Sequence, residues 1–488
     1  MSAKKSPEEI RKNLKHPVID GDGHWVEYTP VFAEKIRKVT GDLGADGFIA
    51  SQQRIPSALN MTRQQRKERA VAMEGFWGRQ AVNTHDRATA MMPRMFYDRL
   101  DELGIDFGIV YPTAGLGIPR IADEATRKAV IRGFNVVTHD YFKEFSNRLT
   151  PAAVIGVGTP EEAIEELEFC VRQLGSKVAM FGSGVRRPMK QAKGVDPDIA
   201  KASAFFDQLG IDSEYDYDPV WQKCRELGVA PTFHTGGRGY GERMSPSNFT
   251  FNHIGHFAAA GHNVAKALFL GGVTRRFPDL RFAFLEGGVG WGCQLYCDLI
   301  EHWERRGAKG LEDMDPTKLD RKYLREMVDK YGYPDIAAEL DKRDGWPLEE
   351  DFLTGGEPPD DYIHCNITKK QDWIDLYAKP YYFGCEADDA MNSVAFGKAM
   401  PLGARINALY SSDIGHFDVK DMRNPLRQAW ELVEDELITE DDFKEFTFSN
   451  SVRLWGTQNP RFFEGTPVAK EAAAVLRESA APVRAAAE

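Results

Sequence analysis

Asp22-Gly23-His24 closes an apolar run, Pro17-Val18-Ile19-Asp20-Gly21. Alternate residues of a strand point the same way, so Asp22 and His24 are neighbours on one face, at the point where the strand stops. A carboxylate and an imidazole placed like that can share a divalent metal. Two similar strand ends far downstream give the pair its weight: Val229-Ala230-Pro231-Thr232-Phe233-His234 and Ile406-Asn407-Ala408-Leu409-Tyr410-Ser411-Ser412-Asp413. Three apolar strands, early, middle and late, each deliver a metal-type ligand at the C-terminal end. A catalytic metal in the mouth of a parallel barrel needs that arrangement.

The elements that must position these residues follow from periodicity. Short apolar runs at 18–22, 107–113, 149–157, 177–181, 229–234, 281–286, 381–386 and 406–413 read as strands. Amphipathic stretches at 160–174, 218–227, 258–277 and 291–306 read as helices between them. Eight strands with helical crossovers predict an α/β fold of one domain over 1–488, a (β/α)8 TIM-like barrel. Segments 25–105, 183–217, 236–256 and 307–380 are too long for simple connections. All four follow strand C-termini, so they are expected to cap the mouth. The Ala-rich stretch 468–488 is expected to form a terminal tail.

Composition narrows the function classes. The chain has 488 residues and a formal net charge of -12, which disfavours nucleic acid or an anionic membrane as partner. No apolar run is long enough to cross a bilayer. The charged start of the sequence lacks a signal-peptide core, so a cytoplasmic location is expected. The six cysteines form no CxxC pair, which fits a reducing compartment. GxSxG and HExxH motifs are absent, and Gly287–Gly292 lacks nucleotide-binding spacing. Ala179-Met180-Phe181-Gly182, at the end of the fourth strand, carries no lysine to bridge two metals, which favours one.

Ile19-Asp20-Gly21-Asp22-Gly23-His24, Phe233-His234-Thr235, Phe284-Leu285-Glu286-Gly287-Gly288-Val289-Gly290-Trp291 and Tyr410-Ser411-Ser412-Asp413 together resemble the amidohydrolase superfamily. The resemblance is to the branch containing aminocarboxymuconate-semialdehyde decarboxylase and related metal-dependent decarboxylases and hydrolases. Leu268-Phe269-Leu270-Gly271-Gly272-Val273-Thr274-Arg275-Arg276-Phe277-Pro278-Asp279-Leu280 is typical of that branch too. The resemblance spans 17–305 and 380–455 and leaves the long insertions uncovered. It implies a single divalent metal, Zn with Mn or Fe as alternatives, held by Asp22, His24, His234 and Asp413. Glu286 departs from the pattern, because several members have His there. It is a candidate ligand, proton shuttle or partner of a ligand histidine, with a helix cap as the plain alternative.

Asp413, Glu286, His256 and His416 are the candidate acid–base residues, and His253 could reach the mouth as well. His262 reads as a packing residue, and Glu27 as a support for His24 or a salt-bridge partner. Arg238, with Arg243 nearby, could bind a substrate carboxylate, and Trp25 and Trp77 could line the pocket. Two chemistries share this site. One is a metal-dependent hydrolase, with metal-activated water attacking a small, aromatic or anionic substrate. The other is a non-oxidative decarboxylase (carboxy-lyase) of a small aromatic acid. A barrel that has lost catalysis and binds a ligand is a third reading. The expected partners are a small-molecule substrate and a second copy of the chain, since the relatives are often dimers.

Overall fold

The computed structural model describes residues 5–74, 82–189, 194, 196, 204–234, 244–314, 318–342 and 360–480. Its strands are β1 (Ile19–Trp25), β2 (Phe107–Pro112), β3 (Leu149–Ile155), β4 (Val178–Phe181), β5 (Val185–Pro188), β6 (Ala204–Asp207), β7 (Pro231–Phe233), β8 (Phe282–Phe284), β9 (Tyr381–Cys385) and β10 (Asn407–Tyr410). Eight of them pair in parallel in the order β1-β2-β3-β4-β7-β8-β9-β10. β5 and β6 form a separate antiparallel hairpin. β1, β2 and β9 are buried along their whole length, as strands with both faces covered must be. The architecture is a (β/α)8 barrel with insertions.

Between β10 and β1 the barrel is closed just beyond the regular ladder. The Asp413 N–H donates to the Asp22 carbonyl at 3.1 Å, and the His24 N–H to the Ile414 carbonyl at 2.8 Å. Asp20 braces the same seam. Its carboxylate accepts from the Ser412 N–H at 3.0 Å and from the Ser412 hydroxyl at 2.5 Å. β1 also carries a bulge, because Asp20 pairs with Gly108 while Gly23 pairs with Val110. The extra residue lets Asp20 turn to the seam while Asp22 and His24 both reach the mouth. Gly23 has to be small here, since a Cβ would stand 2.7 Å from Asp20 Oδ2.

The outer helices follow ordinary rules. Pro160–Gln173 starts at Thr159, whose side chain accepts from the Glu162 N–H, and buries Ala163, Leu167 and Cys170 against the sheet. Glu162 also receives both Nε and Nη2 of Arg127, which ties this helix to Glu124–Phe142. Asp218–Leu227 ends on Gly228 in the left-handed region, where glycine is the natural terminator. The stretch expected as one helix over 258–277 is two, His256–Leu270 and Val273–Arg276, because Gly272 at φ 74° breaks it. In the long connection after β1, helix Thr29–Gln52 runs along Glu124–Phe142 on the outer wall. The β5–β6 hairpin is pinned by buried Arg187, which donates to Asp207 (2.9 Å), the Gly158 carbonyl (2.9 Å) and the Tyr217 hydroxyl (2.8 Å).

The Asp20 brace predicts a ranking. Asp20→Ala leaves two buried Ser412 donors without an acceptor and should cost about 1–3 kcal/mol in urea unfolding. Ser412→Ala keeps the backbone bond and should cost less. Equal stability of Asp20→Ala and wild type would contradict the role given to the seam.

Candidate metal centre

The ends of β1, β7, β8 and β10 bring five donors to one point. His24 Nε2 and His234 Nε2 stand 3.0 Å apart. Asp22 Oδ1 lies 3.5 Å from the first and 3.4 Å from the second. Glu286 Oε2 lies 3.4 Å from His234 Nε2 and 3.9 Å from His24 Nε2, and Asp413 Oδ1 lies 3.6 Å from His24 Nε2. Asp22, His24 and His234 are at most 1% exposed and Asp413 is 3% exposed. A shell with bonds of about 2.1 Å has neighbouring donors about 3.0 Å apart if octahedral and about 3.4 Å if tetrahedral. The observed spacings fit such a shell. Asp22 Oδ1 is buried and accepts no hydrogen bond, which leaves its charge for a cation.

The backbone is strained where it delivers two of these groups. Glu286 has φ 55° and Asp413 has φ 48°, in the left-handed region that side-chain-bearing residues seldom occupy. Such conformations cost about 1–3 kcal/mol each and gather at functional sites. Gly415, at φ 103°, lets the turn after Asp413 pass under β1, since a Cβ there would stand 2.7 Å from the His24 carbonyl.

Below the donors the barrel interior is sealed. The Tyr111 hydroxyl donates to Thr232 Oγ1 and that hydroxyl to the Ala179 carbonyl, both at 2.9 Å. The Tyr111 ring packs on both His24 and His234, at 6.3 and 5.4 Å. Burial, then the charge of Asp22, raises the Tyr111 hydroxyl well above its ordinary pKa, so it stays a neutral hydrogen-bond donor.

His416 completes the site on the open side. Its ring stacks on His24 at 3.9 Å, and Nδ1 is 2.7 Å from Asp413 Oδ1. Nε2 is 3.1 Å from Thr113 Oγ1, and that hydroxyl donates to the Trp25 carbonyl at 2.8 Å. A hydroxyl has one proton, so Thr113 must accept from His416 Nε2–H. The other nitrogen then faces a carboxylate oxygen, and a proton has to lie between them. Burial raises Asp413 well above the ordinary carboxylate range, and the nearby Glu286 and Asp418 carboxylates push it the same way. Burial lowers His24 well below the usual imidazole value, reinforced by His416 and His234, so it is a neutral donor.

Not every expected residue gathers here. Trp25 does not line this site. It follows His24 by one residue and so faces the outer wall, packed against Phe32, Tyr141 and Phe142 at 5.1–5.6 Å. Phe257 is the ring that meets His234, at 5.3 Å; His256 stands behind it, 4.1 Å from Phe257. One Glu27 oxygen accepts from the Ala114 N–H and holds the turn after β2. His262 packs edge-on to Trp291. Arg238, Arg243 and Trp77 lie outside the described residues. Two carboxylates escaped the reading of the sequence: Glu386 and Asp418 form an oxygen cluster with Asp413, all within 4.8 Å of one another. For Glu386 the signal was present, a carboxylate at the last position of an expected strand. Desolvation in the mouth, then Asp418 and Asp22, pushes it up to about 8.

Residues 19–333 match the amidohydrolase family. The chain belongs to that family. A crystal structure of an amidohydrolase from Mycobacterium avium subsp. paratuberculosis K-10 is similar in fold, with TM-score 0.53 and 17% identity over 91% of this chain and 98% of that one. A dihydroxybenzoic acid decarboxylase from Polaromonas sp. JS666, with bound manganese, aligns at TM-score 0.46 and 14% identity over 92% and 99%. A 2,6-dihydroxybenzoate decarboxylase from Rhizobium aligns at 0.43 and 13% over 90% and 98%. No curated protein matches the sequence. Among the described residues of this amidohydrolase, no helix is long and apolar enough to cross a membrane.

A cation entering this site must displace the proton that Asp413 holds. Metal binding therefore releases protons, and affinity should rise with pH. Competition titrations against a chelator of known affinity, at several pH values, measure this. An affinity independent of pH would mean that the buried carboxylates do not bind the ion.

Proposed function

We propose that this amidohydrolase is a metal-dependent hydrolase acting on a small substrate. Asp22, His24, His234, Glu286 and Asp413 would hold one divalent cation, Zn first, with Mn and Fe suited by the same mixed nitrogen and oxygen donors. When bound, the cation would acidify a water molecule and polarise a substrate oxygen. The observation that carries hydrolysis is the Asp413–His416–Thr113 chain at the open side of the donor cluster. Asp413 is placed to take a proton from water. His416 Nδ1, 2.7 Å from it, is placed to receive that proton and return it to the leaving group. Thr113 fixes the imidazole orientation through Nε2. Tyr111 and Thr232 keep solvent from the floor of the site, and Glu286 would add a negative charge toward the cation.

Decarboxylation would use the same donors, but the acidic groups beside them, Glu386 and Asp418, offer a substrate carboxylate no positive partner. Two measurements test the proposal. The metal-loaded enzyme should hydrolyse members of a panel of amides, esters and lactones, and should release no carbon dioxide from hydroxybenzoates. Carbon dioxide release without hydrolysis would replace this reading with the carboxy-lyase. His416→Asn should retain its metal and lose about 10²–10⁴-fold in kcat. A variant with unchanged kcat would remove His416 from the proton path.

A further inference from the structure

Beside the metal donors the mouth opens into a cavity of about 550 Å³, lined by His253, Glu386, Asp388, Ser412, Asp418 and Lys420 among others. Its charges are uneven. Asp421 is held by Arg423, and Asp388 receives Gln428 at 3.5 Å. Glu386 and Asp418 form no ion pair with a described lysine or arginine, and Lys420 is the one lysine or arginine among the described lining residues. The third member of their oxygen cluster is Asp413, 3% exposed, whose Oδ2 is buried and accepts no hydrogen bond. Its Oδ1 faces His24 and His416, so one carboxylate links the metal donors to the acidic pair. On another side of the cavity the ring of His253 touches Phe249, His256 and Phe417 at 5.0–5.3 Å.

We infer that the substrate of this site carries a cationic nitrogen that docks between Glu386 and Asp418, a few bonds from the group that reacts at the metal. The inference rests on the metal-dependent hydrolase reading. An ammonium or amidinium offers several N–H donors, and carboxylates with free lone pairs are its natural acceptors. The aromatic group around His253 offers ring faces to the organic part of such a molecule. The described lining thus favours the charge opposite to that of the anion expected from the sequence. A second metal ion is the competing occupant of the same oxygen cluster, and metal counting separates the two.

The test uses three hydroxamates that present the same metal-binding group and differ in the distal charge: propionohydroxamate, β-alanine hydroxamate and malonic monohydroxamate. Binding to the Zn-loaded full chain is measured by calorimetry, with zinc per chain counted by elemental mass spectrometry. β-Alanine hydroxamate should bind about ten-fold or more tighter than propionohydroxamate, and malonic monohydroxamate more weakly than either. Glu386→Gln and Asp418→Asn should each remove most of that preference, with propionohydroxamate affinity held within about two-fold. Equal binding of the three, preference for the anionic one, or a preference untouched by both variants would overturn the inference. So would two zinc ions per chain falling to one in Glu386→Gln. A chain that takes up no zinc contradicts the metal reading itself, a separate failure that removes the inference with it.

Discussion

Three carboxylates each stand 3–4 Å from an imidazole, and the Glu286 and Asp413 oxygens lie within 4.8 Å of each other, in a setting almost closed to water. Two carboxylate charges about 4 Å apart repel by about 4 kcal/mol even at an effective dielectric constant of 20. Folding can tolerate the cluster only if protons or a cation reside in it. Much of the rest of the fold serves to keep these groups together despite that repulsion. The strands bring them from residues as far apart as 22 and 413, and the closing seam between β10 and β1 fixes the distance between the two ends of the chain's barrel.

The strained backbone at Glu286 and Asp413 belongs to the same constraint. A strand that stopped in ordinary extended geometry would point its last side chain along the barrel wall. The left-handed turn redirects it inward, and glycines two residues later let the chain leave without collision. The Tyr111–Thr232 floor and the Thr113–His416 contact act from below and from the side. Strand ends, the Tyr111 ring against both histidines and the His416 contact at Asp413 hold these ligands, which limits how far they can relax.

Much of this was legible in the sequence because it lies in strands. An apolar run ending in Asp or His is a local pattern, and all eight runs became barrel strands, with boundaries within three residues of those expected. The β5–β6 hairpin was hidden because Val185-Arg186-Arg187-Pro188 has no strand-like alternation; a buried ion network, not apolar burial, holds it. Trp25 was misplaced although the rule used for Asp22 and His24 puts their odd-numbered neighbour on the opposite face. Asp418 sits in a turn five residues after Asp413, and only the closed fold brings its carboxylate back to the cluster. Sites built from turns are set by tertiary contacts, and no periodicity marks them.

If two imidazoles and three carboxylates from four strand ends bind one cation, X-ray absorption at the metal edge of the loaded protein should show it. The spectrum should contain two imidazole nitrogens and carboxylate oxygens with bonds of about 2.0–2.2 Å. A bound metal with oxygen neighbours alone and no imidazole signature would contradict it.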